Sequence, residues 1–408
     1  MPEESKILDT EVAIVGGGLV GMAMAISLAQ RDIASVLLEA QSPTETDEEQ
    51  FDDRTLVINP ASQLFWQDLG LWSEIESHTT TIEHVHVSNQ GKFGVVKFDK
   101  DELKVPQLGH VVAAKTLANT LLKAVKQQTL ISYLQPAKLL EFEATESRVK
   151  LTVEFADSSR VIAAQLMVGA DGVQSPIRTR LNLPTAVKSY QRSAIVCNVT
   201  TSQRHQHRAF ERLTTDGPMA LLPFGNGSGQ NRFGFDRFGF VWSLPTAQAE
   251  QLLKVDEESF LQQAQQLFGY RAGEFQQLGR RSSYPIYQIK VPVQHAHRVV
   301  LMGNAAHAVS PVSAQGLNLA VRGIGRLSEQ LHQAKVIGQN LGSDSVLKAY
   351  QLASDEDQQR TLNYTDDLMT WFKIDEPFIN VMRSLGLVAI NASLNLKKTL
   401  FNTAGGLR

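Results

Sequence analysis

Apolar runs alternate with short polar or glycine-rich breaks over the first part of the chain. The run from Val12 to Val15 is typical of a buried parallel strand, and the apolar stretch from Met22 to Ala29 has helical length. A second apolar run covers Ser35 to Leu38. This pattern predicts a strand–turn–helix–strand unit at the start of the chain.

Further along, the pattern indicates both helices and strands. Residues 64–75 and 117–125 are predicted helices, and residues 150–155 alternate as a half-buried strand does. Residues 166–168 form a short apolar strand, and the chain is predicted to be helical after about residue 345.

The middle of the chain is rich in strand-forming residues. Alternating or apolar patterns at 193–199, 219–223 and 233–242 are separated by glycine clusters. They predict a mostly antiparallel sheet with one face toward a ligand or a helix. The aromatic residues of 233–242 fit two interpretations, a plain core and a greasy roof over a ligand pocket. A buried strand returns at 298–303, before a helix that begins near Leu317.

The turn after the first strand carries three glycines in the spacing G-x-G-x-x-G. Gly16 permits a tight turn, Gly18 lets the backbone approach a pyrophosphate, and Gly21 lets the helix pack closely on the strand. Glu39 ends the second strand, where its carboxylate can accept hydrogen bonds from a ribose. The helix N-terminus offers unpaired N–H groups to phosphates. The motif predicts dinucleotide binding without separating NAD from FAD, and its alternative is a glycine-rich turn that binds nothing.

The predicted fold class is therefore α/β, with a discontinuous nucleotide-binding domain and an inserted, mostly antiparallel sheet domain. A helical region ends the chain. The expected boundaries are 1–80, 106–180 and 285–345 for the nucleotide-binding domain, 81–105 and 181–284 for the inserted domain, and 346–408 for the helical region.

Composition narrows the function classes. The 408 residues carry a net charge of −3, which gives no reason to expect nucleic acid as a partner. A single cysteine, Cys197, excludes internal disulfides and cysteine-based zinc or iron–sulfur sites. Pairs of histidines invite a metal interpretation, but no patterned carboxylates complete a ligand set, so no metal is expected. With neither a signal peptide nor a spanning apolar stretch, we expect a cytoplasmic protein that can still touch a membrane surface.

A second signal lies in the segment from Gly303 to Gly323. Asn304 follows a strand, at the end where open parallel sheets bind ligands, and Pro311 stiffens the loop that follows. The run from Gln315 to Asn318 starts a helix whose N–H groups are expected to point into the same crevice. A helix N-terminus there favours negative charge, such as that of a reduced flavin.

Together these segments resemble the class A flavoprotein aromatic hydroxylases over nearly the whole chain and in the expected order. The glycine motif comes first, and Arg54 follows in FDDRTLVI. GADGVQSPIR at 169–178 and GNAAHAVSPVSAQGLN at 303–318 complete the series. The resemblance implies the p-hydroxybenzoate hydroxylase-like fold, in which a three-layer ββα, Rossmann-like FAD-binding domain carries the inserted sheet.

Within that family the chain is similar to the ubiquinone-biosynthesis branch, and closest to its octaprenyl-methoxyphenol hydroxylases. The telling segments are FDDRTLVI and the stretches 82–94, 208–223 and 280–286. The resemblance implies FAD as cofactor and NAD(P)H as electron donor. It also implies a monooxygenase that uses O2 to hydroxylate a polyprenylated phenol through a flavin C4a-hydroperoxide.

The resemblance assigns site residues by position. The catalytic set is Arg54, Pro311, Gln315 and Gly316. The cofactor-binding set is Gly16, Gly18, Gly21, Glu39, Arg54, Asp171, Gly303, Asn304, Gly316, Leu317 and Asn318.

Some of these residues have plainer alternatives. Arg54 pairing with Asp52 or Asp53 is one, and Asp171 capping the turn before the helix near Pro176 is another. His307, just after the flavin motif, could face the cofactor or bond within its loop.

One departure from the family is Asn304, where an aspartate is usual. Asparagine keeps an acceptor oxygen but loses the charge, so we expect FAD binding to survive. The departure keeps open a non-catalytic flavin-binding subunit, and a same-fold flavoprotein reductase is a further alternative.

The C-terminal stretch places apolar residues of 378–389 on one helical stripe. An ordinary core helix is the default interpretation. The sharper one is a surface for the inner membrane or for other enzymes of ubiquinone biosynthesis, because the implied substrate carries a long isoprenoid tail.

Overall fold

The computed structural model describes residues 7–42, 54–156, 158–225, 237–310, 314–371 and 377–407. Within these residues the strands form sheets of eight, nine and three members. In chain order the strands are β1 (Leu8–Val15), β2 (Ser35–Leu38), β3 (Thr55–Ile58), β4 (Thr80–Ile82), β5 (His84–Asn89), β6 (Val95–Asp99), β7 (Gly109–Ala113), β8 (Ile131–Leu134), β9 (Ala137–Ala144), β10 (Val149–Phe155), β11 (Ser158–Gly169), β12 (Ala186–Thr201), β13 (Arg208–Thr214), β14 (Gly217–Phe224), β15 (Arg237–Pro245), β16 (Phe275–Leu278), β17 (Ser282–Lys290), β18 (His295–Ala296), β19 (Val299–Leu301) and β20 (His307–Ala308).

Helices connect and cover these strands. In chain order they are α1 (Leu19–Ala29), α2 (Pro60–Asp68), α3 (Trp72–Glu76), α4 (Lys100–Leu103), α5 (Ala114–Gln127), α6 (Pro176–Arg180), α7 (Thr246–Leu252), α8 (Glu257–Phe268), α9 (Gly316–Val336), α10 (Asp344–Trp371), α11 (Pro377–Ala392) and α12 (Leu394–Gly405). The single helix predicted over 64–75 is instead two, α2 and α3. Gly70 between them has a φ of +66°, which a continuing helix cannot accommodate.

The eight-stranded sheet has the three-layer arrangement expected of a Rossmann-like domain. Its central strands run β19–β11–β1–β2–β8, and all four of these pairings are parallel. Alternate residues of β1 face opposite layers: Val12 and Ile14 pack with helices α1, α5 and α9, whereas Ala13 and Val15 pack with the antiparallel strands β9 and β10. Burial on both faces explains why β1 and β2 are apolar without interruption.

The nine-stranded sheet is largely antiparallel, as the alternating pattern predicts, with a parallel pair between β5 and β13. Its strand order is β20–β17–β12–β15–β14–β13–β5–β6, with β16 on β12. β17 crosses the predicted domain boundary at residue 284 and pairs within this sheet. The predicted domain boundaries remain predictions.

The aromatic residues of β15 form a core. Of the two interpretations, the plain core therefore holds for them, and the apolar roof over a ligand pocket is wrong for them. Phe238, Phe240 and Trp242 share one face of the sheet and pack under α7 and α8, against Phe260 and other apolar side chains. The opposite face of β15 carries Gly239, Val241 and Ser243, with the buried Arg237 at its start. Phe233 and Phe235 lie outside the described residues.

The C-terminal helices contact both parts of the protein, because α10 packs on α9 and α11 packs on β6 of the nine-stranded sheet. Asp357 on α10 binds Arg322 of α9 through both carboxylate oxygens, at 2.8 and 3.0 Å, and lies 2.8 Å from Arg326. Burial alone would raise the pKa of Asp357, but Arg322 and then Arg326 hold it below its usual value. The helix α12 is fastened to α4 by an ion pair between buried Lys397 and Glu102.

We expect Asp357→Asn to lower the free energy of unfolding at pH 7 by about 2–3 kcal/mol, because two largely buried guanidinium groups lose their counter-charge. Urea denaturation measures this change. Since the folded-state pKa is depressed, the stabilisation is present above the unfolded value and disappears as the pH falls through the folded value. The control is Glu356→Gln, whose side chain is 85% exposed. Equal effects of the two variants would contradict the prediction.

Candidate functional site

The glycine turn between β1 and α1 is packed so tightly that two of its glycines are required by the fold itself. Gly16 has a φ of +111°, and a Cβ there would lie 2.3 Å from the carbonyl oxygen of Ala170. A Cβ on Gly21 would lie 1.8 Å from the carbonyl oxygen of Gly16. Gly18 differs, because a Cβ there would meet nothing within 4 Å and the residue is exposed. Of these three glycines, only Gly18 therefore has open space beside it.

This open space lies at the N-terminus of α1. Gly18 is the N-cap residue, no side chain caps the helix, and its first turn carries no acidic residue. The free N–H groups and the positive end of the helix dipole therefore face the space above Gly18, which suits a phosphate.

Glu39 closes the turn from the end of β2. Its Oε2 accepts a hydrogen bond of 2.8 Å from the N–H of Gly17, and its Oε1 accepts one of 2.7 Å from the N–H of Gln41. A carboxylate has about four lone-pair positions, so two remain for a ligand hydroxyl. The structure thus places Glu39 beside the same open space.

Asp171 follows β11 and serves the turn that precedes α6. Its Oδ2 accepts a 3.2 Å hydrogen bond from the N–H of Ile177, as the capping alternative requires. Its Oδ1 is buried and has no hydrogen-bond partner in the part of the chain that the structure describes. Burial raises the pKa of this carboxyl, against the hydrogen bonds from Ser175 and Ile177. One acceptor atom of Asp171 is therefore free for a ligand.

The second motif reaches the same edge of the sheet. β19 ends at Leu301, and Gly303 follows with a φ of +56° and so little room that a Cβ would lie 3.0 Å from Cγ2 of Val20 on α1. Asn304 is exposed in the short 3-10 helix Gly303–Ala305. The two motifs, far apart in sequence, thus meet at the first turn of α1.

The side chains at the start of α9 bind the protein itself. Asn318 accepts from the N–H of Asn59 at 3.1 Å and donates to the carbonyl oxygens of Val57 and Ala314. Gln315 donates to the carbonyl oxygen of Ala404 on α12 at 3.2 Å. Both amides are engaged, so a ligand can reach these two positions through the backbone.

The backbone at this point is open. No side chain caps α9, and a Cβ on Gly316 would meet only Cγ2 of Val309, at 3.6 Å. Leu317 beside it is half-buried. The N-terminus of α9 therefore offers its N–H groups to a neighbouring ligand. Pro311 lies outside the described residues.

Arg54 directly precedes β3 of the three-stranded sheet and lies beside the nine-stranded sheet. It is exposed, and its guanidinium carbon is 5.2 Å from the ring centre of Tyr284 on β17. Next to it, Thr55 approaches β15 so closely that a Cβ on Gly239 would lie 2.2 Å from its Oγ1. The alternative pairing of Arg54 with Asp52 or Asp53 falls outside the described residues.

His307 is buried on β20, and burial lowers its pKa to about 4. The imidazole is therefore neutral at physiological pH. Its Nδ1 has no hydrogen-bond partner among the described residues. These residues contain no group of three or more His, Cys, Asp or Glu side chains placed to hold a metal ion.

Glu211 is a titratable residue that the sequence interpretation did not single out. It lies on β13, between β14 and β5 of the nine-stranded sheet, where burial raises the pKa of its carboxyl to about 7. One signal in the sequence could have found it. In the largely buried strand RAFERLT, a charged residue directly follows Phe210 and must therefore face the other side of the sheet. Its partner strands follow only from the sheet order.

Comparisons with known proteins agree with this geometry. The sequence profile of the FAD binding domain matches residues 9–362. Ubiquinone hydroxylase UbiL of Rhodospirillum rubrum is 28% identical over 397 residues, which cover 97% of this chain and 89% of that protein. The 3-demethoxyubiquinol 3-hydroxylase of Escherichia coli is 28% identical over 400 residues, which cover 98% of this chain and 99% of that protein.

A solved structure shares the fold. The p-nitrophenol 4-monooxygenase PnpA of Pseudomonas putida superposes with a TM-score of 0.79 at 17% identity, over 98% of this chain and all of that one. The predicted fold class is thereby confirmed. Because the FAD binding domain profile spans most of its length, the chain belongs to the FAD binding domain family.

Proposed function

We propose that this protein is an FAD-dependent monooxygenase that hydroxylates the aromatic ring of a polyprenylated phenol in ubiquinone biosynthesis. The observation that carries the proposal is that Gly303 of the second motif contacts Val20 in the first turn of α1, while neither α1 nor α9 has a side-chain cap at its N-terminus. A cofactor with a diphosphate at one end and an electron-accepting ring at the other uses both N-termini. The relatives named as ubiquinone hydroxylases match over nearly the whole chain and support the substrate class.

The residues present fit FAD. The space above Gly18 admits the pyrophosphate, Glu39 has acceptors left for the ribose, and Asp171 offers a buried, unpartnered oxygen. Asn304 lies exposed at the end of β19, where its amide can reach a ribityl hydroxyl. When bound, FAD supplies the redox chemistry and the activation of O2, with NAD(P)H as the electron donor.

The remaining work falls to the chain itself. The N–H groups of Gly316 and its neighbours stabilise negative charge on the ring that they face. Arg54 offers a positive charge beside the nine-stranded sheet, where its guanidinium makes a cation–π contact with the ring of Tyr284. We expect the start of α9 to keep water away from the reacting atoms, because water there favours loss of hydrogen peroxide.

Oxygen use separates the proposal from its alternatives. Purified protein that consumes O2 only with NAD(P)H and a phenol together behaves as a hydroxylase. Reduction that needs no oxygen indicates a flavoprotein reductase, and absence of turnover with every quinone precursor indicates a non-catalytic flavin-binding subunit.

We expect Gly18→Val to abolish FAD binding while the chain still folds. The protein has room for the new side chain, so its only conflict is with the pyrophosphate. The measurement is flavin absorbance per mole of soluble protein. Gly386→Val is the matched control, since a Cβ there also meets open space. Normal flavin content in soluble Gly18→Val would refute the placement.

We expect Gly316→Leu to uncouple the reaction more than it slows NAD(P)H oxidation. The larger side chain extends beyond the Cβ position that already touches Val309, crowds the start of α9 and admits water. Peroxide released per NAD(P)H consumed, with a phenol present, should rise several-fold. Gly386→Leu serves as the control. A fully coupled Gly316→Leu enzyme would show that the start of α9 does not exclude water from the reacting atoms.

We further propose that the exposed apolar face of α11 and α12, called here the C-terminal apolar face, lies on the inner membrane. Its members are Val381, Met382, Leu385, Val388, Leu396 and Leu400, each between 37% and 48% exposed. The stripe is therefore no ordinary core helix. No helix in the described part of the chain is long and apolar enough to cross a bilayer, so the contact would be peripheral. A membrane surface is also where a substrate with a long isoprenoid tail resides.

We expect the double variant Leu385→Glu and Val388→Glu to bind phosphatidylethanolamine–phosphatidylglycerol vesicles at least about tenfold more weakly, because two apolar anchors are lost. Cosedimentation measures the bound fraction. Leu352→Glu on α10 is the control, because Leu352 is 76% exposed and lies outside the face. Unchanged vesicle binding by the double variant would leave this face to a partner enzyme and overturn the membrane proposal.

A further inference from the structure

Glu211 points to the face of the nine-stranded sheet that looks toward the flavin-binding domain. Side chains alternate along a strand, and Phe210 packs under α8 with the aromatic core. The next residue therefore faces the other way. Strand register places Glu211 beside Ala220 of β14, which in turn lies beside Val241 of β15.

Part of this face remains accessible between two covered ends. Other elements cover this face of the sheet at two places. Ala209 of β13 packs against the three-stranded sheet β3–β7–β4, and Ala194 of β12 packs against Met369 of α10. Between these ends Glu211 and Val241 retain accessible surface. This pattern of exposure indicates a space over the face between its covered ends, which is called the cavity below.

The cavity adjoins the residues assigned to the flavin site. Val241 is two residues from Gly239, the point where Thr55 touches the sheet, next to Arg54. Neighbouring strands are about 5 Å apart, so Glu211 lies about 10 Å from the β15 backbone across this face. Tyr364 of α10, which is electrostatically coupled to Glu211, also lines a space of about 20 Å³ with Gln315, the residue before α9.

The carboxylate of Glu211 has no hydrogen bond or ion pair within the described residues, which is unusual for a buried acid. Burial is the cause of its raised pKa, and none of the described charged groups on the surrounding strands and helices contributes. The titratable group coupled to it is Tyr364, whose own pKa is raised to about 12 by burial and by Glu211. The neutral phenol of Tyr364 therefore lies close enough to Glu211 for the two groups to interact electrostatically.

On the basis of the function proposed above, we propose that Glu211 binds the ring hydroxyl of the substrate and accepts its proton during hydroxylation. The O–H bond of the phenol breaks, its proton moves to a carboxylate oxygen, and the electron pair stays on the phenol oxygen. That pair delocalises into the ring and makes the carbon to be hydroxylated more nucleophilic. When the ring regains aromaticity, the carbon that received oxygen releases its hydrogen as a proton to the second oxygen atom of O2, which leaves as water, and Glu211 returns its own proton to the phenol oxygen.

The first test compares two ligands that differ only in the hydroxyl group, 2-methoxy-6-prenylphenol and its methyl ether. Binding to the flavin-loaded protein is measured by the change in flavin absorbance. The wild type should prefer the phenol by about tenfold or more, and Glu211→Gln should lose most of that preference at pH 8. Glu143→Gln, an exposed acid on β9, is the control and should keep it. An undiminished preference in Glu211→Gln would overturn the proposal.

The second test needs no substrate. An acid whose pKa is raised in the folded state keeps its proton while the unfolded chain has already lost one, so stability falls as the pH rises from about 5 to about 7. Thermal unfolding should show that Glu211→Gln removes this fall and gains stability at pH 8. A variant that is less stable than the wild type at pH 8 would show that Glu211 holds the fold together, and would overturn the proposal.

The pH profile of hydroxylation separates this inference from the function on which it rests. The single-turnover rate of the wild type should rise with pH through about 7, and Glu211→Gln should lose that limb. Efficient hydroxylation by Glu211→Gln with an unchanged profile overturns the role of Glu211 and leaves the function standing. A wild type that binds the phenol through Glu211 but hydroxylates nothing overturns the function, and with it the proton transfer.

Discussion

The close approach of the glycine turn to Ala170 is the constraint on which the rest of the structure depends. At Gly16 the chain must turn with a positive φ under a carbonyl oxygen that would lie 2.3 Å from any Cβ. This contact fixes β1 against β11 and aims α1 at the crevice. The space at Gly18 exists because its two partner glycines are packed against backbone, and it is the part of the turn that a ligand can use.

The same crevice is completed by segments far away in sequence. The carbonyl oxygen of Ala404, near the end of α12, accepts hydrogen bonds from both Asn59 and Gln315. The C-terminal helix therefore stabilises the start of α2 and the start of α9 together. Because Lys397 also anchors α12 to Glu102, the apolar face of α11 and α12 is held in a fixed relation to the candidate site.

Local patterns in the sequence were sufficient for much of the fold and for part of the site. The glycine spacing and the apolar strands predicted β1, α1 and β2, because each depends on residues near in sequence. Other features depend on distant contacts. The amides of Gln315 and Asn318 are engaged by Ala404, Val57 and Asn59, which no spacing reveals.

The position of Glu211 likewise depends on sheet order. Its neighbours in space come from β14, β5 and α10, so its alternation with Phe210 shows that it is turned away from the aromatic core but not what it faces. The aromatic run of β15 was ambiguous for the same reason, because either face of a strand can be the core. The exposure of the C-terminal stripe also depends on tertiary structure. An apolar helical face has the same sequence pattern whether other elements cover it or leave it exposed.

The central claim is that this chain inserts one atom of O2 into an aromatic ring. The most direct measurement is mass spectrometry of the product formed by the purified, FAD-loaded protein from 2-methoxy-6-prenylphenol, NAD(P)H and isotopically labelled O2. The account predicts a hydroxylated product that carries one labelled oxygen atom, formed only when all components are present. Consumption of NAD(P)H without labelled product, or product oxygen that comes from water, would contradict it.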